Sequence, residues 1–265
     1  MLIDTHAHLD FDRFANDLDS VLTQAAEAKV DRMIQISTSV EGSHRSVAYS
    51  EKYPQLKATV GIHPCYVPDE PDGAPALLTP LLNHPNVVAI GECGLDYHRE
   101  SHLSPAEVTR TRERQSAFFI QQLELAVQHQ KNVVVHQRDA WEDTLSLLAP
   151  FTGKLRAVFH CFGGSFEQAS QLITLGHAVS FTGIVTFKTA VAAQDAARRL
   201  PKGSFFLETD CPFLAPIPFR GQRCEPSHLR LTAEHIAALR SESLEELATH
   251  TSRAAETFFG LSTLA

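Results

Sequence analysis

Residues 132–160 read NVVVHQRDAWEDTLSLLAPFTGKLRAVFH. Asn132–Val135 is a short β-branched run that stops on His136, and Arg156–Phe159 is a second apolar run that stops on His160. Between them Trp141–Leu148 has helical period. A strand buried on both faces, a helix and another such strand make one βαβ unit of a parallel sheet.

The same rhythm extends outward in both directions. Upstream runs are Met1–Asp4, Arg32–Ser37, Lys57–Gly61 and Val87–Gly91, and downstream runs are His177–Phe181 and Ser204–Leu207. Helical patterns fall at Leu18–Lys29, Glu113–His129, Phe166–Leu175, Ala190–Leu200, Leu231–Arg240 and Leu244–Phe259. Alternation repeated about eight times predicts an α/β fold, a (β/α)8 TIM barrel, with residues 1–265 as one domain. A doubly wound open sheet is the structural alternative. Ser101–Ala106 and Pro68–Pro80 read as surface loops.

Composition narrows the function classes. No run of about 18 apolar residues suggests a membrane span. MLIDTHAHLD has neither a basic leader nor a long apolar stretch, so a cytoplasmic protein is expected. Five cysteines without a C-x-x-C pair support neither a zinc ribbon nor a redox motif. A net charge of −8 disfavours a protein that coats duplex DNA through a broad basic face.

Fourteen histidines direct attention to metal chemistry. His6, His8, His63, His136 and His160 follow strands, as do Glu92, Glu208 and Asp210. In a barrel, strand C-terminal ends converge on one face. In His6-x-His8, period 2 aims both imidazoles into one pocket. The metal ligands read from this pattern are His6, His8, Glu92, His136, His160 and Asp210, with Glu92 bridging two divalent ions. Mixed N/O ligands suit Zn, Mn, Ni or Co and are usable by Mg. Such a pair activates a water and stabilises attacking and leaving oxygens. His44, His84, His102, His129, His177, His228, His235 and His250 fall in loops or helical patterns and are expected to be ordinary surface or core residues. Cys93, Cys161 and Cys211, beside proposed ligands, are expected to pack away from the pocket.

IDTHAHLD, GIHP, GECGLDYHR, VVVHQRD, HCFGG, SFTGIVTFK, LETDCPFLAP and FRG occur in this order over nearly the whole chain. Together they resemble the TatD family of metal-dependent deoxyribonucleases, within the amidohydrolase-like metal hydrolases. The resemblance implies a TIM barrel, the same six ligands and a 3′–5′ exonuclease type of deoxyribonuclease acting on single-stranded DNA or 3′ ends. It also implies that His63 lies near the scissile phosphate. Asp210 and Glu92 are the catalytic candidates. His63 and Arg138 are the substrate-binding candidates, and Lys188 and Arg220 are weaker ones. Gln137, Thr189 and Cys224 depart from the usual family pattern, and Cys224 is expected on the substrate face. Two alternatives remain: a deacylase of mischarged aminoacyl-tRNA or other ester or amide hydrolase, and a non-catalytic nucleic-acid-binding protein.

Overall fold

The computed structural model describes residues 1–98 and 100–262. Eight parallel strands follow in chain order: β1 (Leu2–Ala7), β2 (Val30–Gln35), β3 (Leu56–Val60), β4 (Val87–Asp96), β5 (Asn132–Arg138), β6 (Ala157–Phe159), β7 (Ala178–Phe181) and β8 (Phe205–Leu207). Each pairs with the next. The ring closes where the chain beyond β8 meets β1. There the Asp210 N–H donates to the His6 carbonyl and the His8 N–H to the Cys211 carbonyl, both at 2.9 Å. The expected TIM barrel is therefore the fold, and the open sheet is not.

Ile3, Ile34, Ala89, Val134, Val158, Ala178 and Phe206 come from seven different strands and pack into one cluster with Phe258 and Phe259. Side chains from all round a closed sheet meet only inside it, so these form the barrel floor. Burying a side chain of this kind contributes roughly 1.5–3 kcal/mol. Two residues further along their strands stand His136, His160, Ser180 and Glu208, which period 2 lifts into the next interior layer. On β4 the interval from Ala89 to Glu92 is three residues. The pairing with β5 shifts register by one residue between Ile90 and Cys93, a bulge that turns Glu92 inward. Gly91 makes this possible: at φ 141° it lies where L side chains are strained, and a Cβ there would stand 2.7 Å from the Val134 side chain.

The helices are α1 (Leu18–Glu27), α2 (Val40–Lys52), α3 (Pro105–Gln128), α4 (Trp141–Leu148), α5 (Phe166–Thr174), α6 (Val191–Arg199), α7 (Leu229–Arg240) and α8 (Leu244–Phe259). Two differ from the sequence expectation. α2 buries Ser43, Ser46 and Ser50 beside Val47, so its inner stripe is small and polar rather than apolar. α3 begins at Pro105, inside the stretch read as a loop. Ser104 and Glu107 form a reciprocal capping box there and Pro105 sits at its first turn. Between β3 and β4 the proline-rich chain forms 3-10 turns at Pro64–Asp69 and Ala74–Leu78 instead of an α-helix. Proline lacks the N–H an α-helix interior needs. Among the described residues, no helix is long and apolar enough to cross a membrane.

Candidate metal centre

The strand ends carry the six expected residues to one place. His6 and His8 extend from β1, and their Nε2 atoms stand 3.2 Å apart. His6 Nε2 lies 3.3 Å from Glu92 Oε2 and 3.6 Å from Asp210 Oδ1. His8 Nε2 lies 3.7 and 3.4 Å from the same two oxygens. The other oxygen of Glu92 faces a second group. Oε1 is 2.9 Å from His136 Nδ1 and 2.7 Å from His160 Nε2, and those two nitrogens are 3.2 Å apart.

These separations test the fit of a metal. Donors about 2.0–2.2 Å from one small divalent ion are separated by roughly 3–3.6 Å in octahedral or tetrahedral geometry. The His6–His8–Glu92–Asp210 distances fall at or within about 0.1 Å of that range, and the His136–His160–Glu92 set, at 3.2, 2.9 and 2.7 Å, runs from its short end to about 0.3 Å below it. The donor chemistry agrees. His8 Nδ1 faces the Ile36 carbonyl at 3.2 Å, an acceptor only, so the proton sits there and the Nε2 lone pair is free. Two groups, joined by the two oxygens of Glu92, suit two ions.

The site lies deep at the base of the strand ends. His6, His8 and Glu92 are buried, and Asp210 is 9% exposed. Burial opposes charge on Glu92, but the imidazoles of His160, His63 and His6 outweigh it and hold its carboxyl well below the usual range. Burial likewise opposes a proton on His160, yet Glu92 and Glu208 pull its pKa well above the ordinary value. Proton and cation therefore compete for these nitrogens. Asp210 adopts φ 55°, a left-handed backbone uncommon outside glycine, pinned by its N–H bond to the His6 carbonyl.

Supporting residues complete the arrangement: Asp96 and Asp4 are absent from the sequence reading, and Glu208 is read there at a strand end without a role. Asp96, at the end of β4, places Oδ2 3.1 Å from His136 Nε2, so Glu92 and Asp96 bracket one imidazole on both nitrogens. Burial would raise the Asp96 carboxyl, but the hydrogen bond and charge of His136 hold it at about 2. Glu208 accepts from the Cys161 N–H at 2.6 Å and from Ser180 Oγ at 2.5 Å, and stands 3.5 Å from His160 Nδ1. Asp4, pushed up to about 7 by burial, accepts from the Thr209 N–H and Oγ1 and from the His6 N–H. It ties together the two ends of the barrel seam that carry His6 and Asp210.

His63 lies beside this group, its Nε2 3.4 Å from Glu92 Oε1. Its Nδ1 accepts from the Cys65 N–H at 3.0 Å, so the neutral ring carries its proton on Nε2 and presents a donor to the pocket. A cleft of about 1250 Å³ opens above, lined among others by His8, His63, Glu92, His136, Arg138 and Asp210. No lysine is among its lining residues. Lys188 and Arg220 are exposed and outside that lining, and Arg220 instead stacks over the Phe187 ring at 4.4 Å.

The family departures are also placed. Gln137, with its amide oxygen toward α4, accepts from the Ala140 and Trp141 N–H groups at 3.0 Å and caps that helix. Cys224 is fully buried with Sγ near the Thr209 carbonyl, not on the substrate face, because the chain after β8 folds it beneath the seam. Cys93 and Cys211 are buried in the core, whereas Cys161 lines the cleft because its left-handed backbone, φ 49°, turns it out of strand alternation.

Fold and donor geometry together describe an α/β-barrel hydrolase of the metal-dependent type. The family described as "TatD related DNase" matches residues 3–260. The chain belongs to the TatD family and is a metal-dependent hydrolase. It is 36% identical over 260 residues to the "uncharacterized metal-dependent hydrolase YabD" of Bacillus subtilis, covering 98% of this chain and 99% of that one. It is 32% identical to the "3'-5' ssDNA/RNA exonuclease TatD" of Salmonella typhimurium, covering 97% and 98%. The crystal structure of YJJV, a TatD homolog from Escherichia coli K12, matches with a TM-score of 0.90 at 31% identity over 98% of each chain.

Proposed function

We propose that the protein is a deoxyribonuclease that hydrolyses phosphodiester bonds of single-stranded DNA from 3′ ends. The observation that carries this reading is the pair of donor groups sharing Glu92 at the floor of a wide cleft. His6, His8, Glu92 and Asp210 would hold one ion, and His136, His160 and Glu92 the other. Bound ions would supply Lewis acidity that lowers the pKa of a water and neutralises charge on the phosphate.

The chain's own groups do the remaining work. With Asp210 Oδ1 turned to the His6 and His8 nitrogens, the other oxygen of its carboxylate would accept the proton of an attacking water as general base. His63 Nε2–H donates to a non-bridging phosphate oxygen, and Arg138 on the cleft wall binds the phosphate with its forked guanidinium. Lys188 and Arg220, outside the cleft, are left to a longer strand. The name of the Salmonella relative supports nucleic acid as the substrate class.

Asp210→Asn should keep the unfolding midpoint and lower turnover about 10²–10⁴-fold. Near-normal turnover would remove Asp210 from its role. The assay compares single-stranded DNA, RNA and aminoacyl-tRNA with Mn2+ or Mg2+. Cleavage of aminoacyl-tRNA alone would replace the nuclease reading with ester hydrolysis on the same scaffold.

A further inference from the structure

The cleft carries aromatic rings that the metal chemistry leaves unused. Phe213, three residues past Asp210, is 42% exposed, and Tyr66 is 41% exposed. Both line the cleft. Large rings left in water cost hydrophobic free energy, and paired at a cleft they point to a ligand.

Neither ring hangs loosely. Phe213 packs edge-on against Phe11, with centroids 6.0 Å apart, and against His8 at 6.3 Å. Phe11 in turn stacks on His8 at 4.9 Å and 23°. The result is a rigid aromatic corner continuous with His8. The Arg13 guanidinium lies 5.9 Å from the Phe213 centroid, and Arg13 is itself exposed. Tyr66 stands edge-on to His63 at 6.2 Å and 81°. One exposed ring is thus anchored on His8, beside Asp210, and the other on His63, beside Glu92 Oε1.

We propose that Phe213, backed by Phe11, and Tyr66 are stacking platforms for the two nucleobases that flank the reacting phosphodiester. This rests on the nuclease reading and adds what part of the substrate is gripped. Every base has a flat π face, so such platforms tolerate any sequence. A base reaches a protein ring only when it is unpaired, so they also select single strands and frayed ends. Charge favours the same division of labour. With a net charge of −8 the chain as a whole does not attract a polyanion, so stacking carries a share of binding that basic residues carry elsewhere. Arg13 adds a local cation beside Phe213 for the strand backbone.

The experiment uses a ten-residue thymidine oligonucleotide with Mn2+, and the same strand lacking the base at its last or its penultimate 3′ position. With the wild-type protein, loss of either base raises KM about tenfold. Phe213→Ala raises KM for the intact strand by about the same factor, removes the dependence on one of the two bases, and is rescued by Phe213→Trp. Tyr66→Ala removes the dependence on the other base. Equal hydrolysis of intact and baseless strands by the wild-type protein overturns the platforms without any variant. So does a Phe213→Ala penalty that multiplies with both base deletions. Failure of the wild-type protein to cut the intact strand would instead remove the nuclease reading and the platforms with it.

Discussion

Replacing Asp96 by Ala should loosen one bound ion and leave the other in place. Asp96 Oδ2 meets His136 Nε2 at 3.1 Å, and its Oδ1 accepts from the His98 N–H at 2.9 Å. The carboxylate holds the proton on Nε2 and leaves Nδ1 to face Glu92 Oε1 and His160 Nε2. Held at about 2, it is ionised throughout the neutral range. Its removal deletes a hydrogen bond to a charged acceptor, about 1.5–3 kcal/mol, and frees the ring to rotate or change tautomer. At 1.4 kcal/mol per factor of ten, affinity at the His136–His160 position falls about 10–100-fold, the usual effect of losing such a partner. His6 and His8 do not touch Asp96, so the other position keeps its affinity. Calorimetric titration of metal-stripped protein with Mn2+ separates the two steps. Asp96→Asn keeps an acceptor oxygen and should lose less. Wild-type affinity at both positions, or equal loss at both, would refute the orienting role.

Two further outcomes concern the fold. Gly94 has φ 140° and a Cβ there would stand 2.0 Å from the His136 carbonyl oxygen, so Gly94→Ala should cost more than about 4 kcal/mol. Thermal unfolding checks it, and an unchanged midpoint would show that β4 tolerates the side chain. His177 Nδ1 accepts from the Ala157 N–H at 3.2 Å, and burial, helped by Arg156, pushes its pKa down to about 4. The unfolded chain takes up this proton first as pH falls, near 6.5. The stabilisation is therefore complete above pH 6.5 and is lost between 6.5 and 4, by at most about 3 kcal/mol. Urea unfolding across that window should give a shallower decline for His177→Gln, and parallel declines would contradict the assignment.

The parts of the molecule visible in the sequence are those with a local signal. Each strand is a compact β-branched or apolar run, and five imidazoles follow such runs, so the barrel and the pocket can be read together. α2 has no apolar stripe because serines face β2 and β3, and periodicity passes over it. Asp96 was hidden by strand length: β4 continues through Glu92 to Asp96, past the point where its apolar run stops. Asp4 gives no local signal because its bond to the Thr209 N–H exists only once the chain after β8 meets β1, and Glu208, legible at a strand end, gains its partners Cys161 and Ser180 only when β6, β7 and β8 lie side by side. Lys188 and Arg220 show the converse. A matching motif identifies a position, but which side chains line the cleft follows from the fold, and both are exposed outside that lining.

The central claim is that two ions held by one shared glutamate make this chain a phosphodiesterase. Its most direct test is stepwise addition of Mn2+ to metal-stripped protein while hydrolysis of single-stranded DNA is followed. Turnover should appear only as the second equivalent binds, and Glu92→Ala should bind neither ion tightly and stay inactive. Hydrolysis that persists in a chelator, or full turnover by Glu92→Ala, would contradict it.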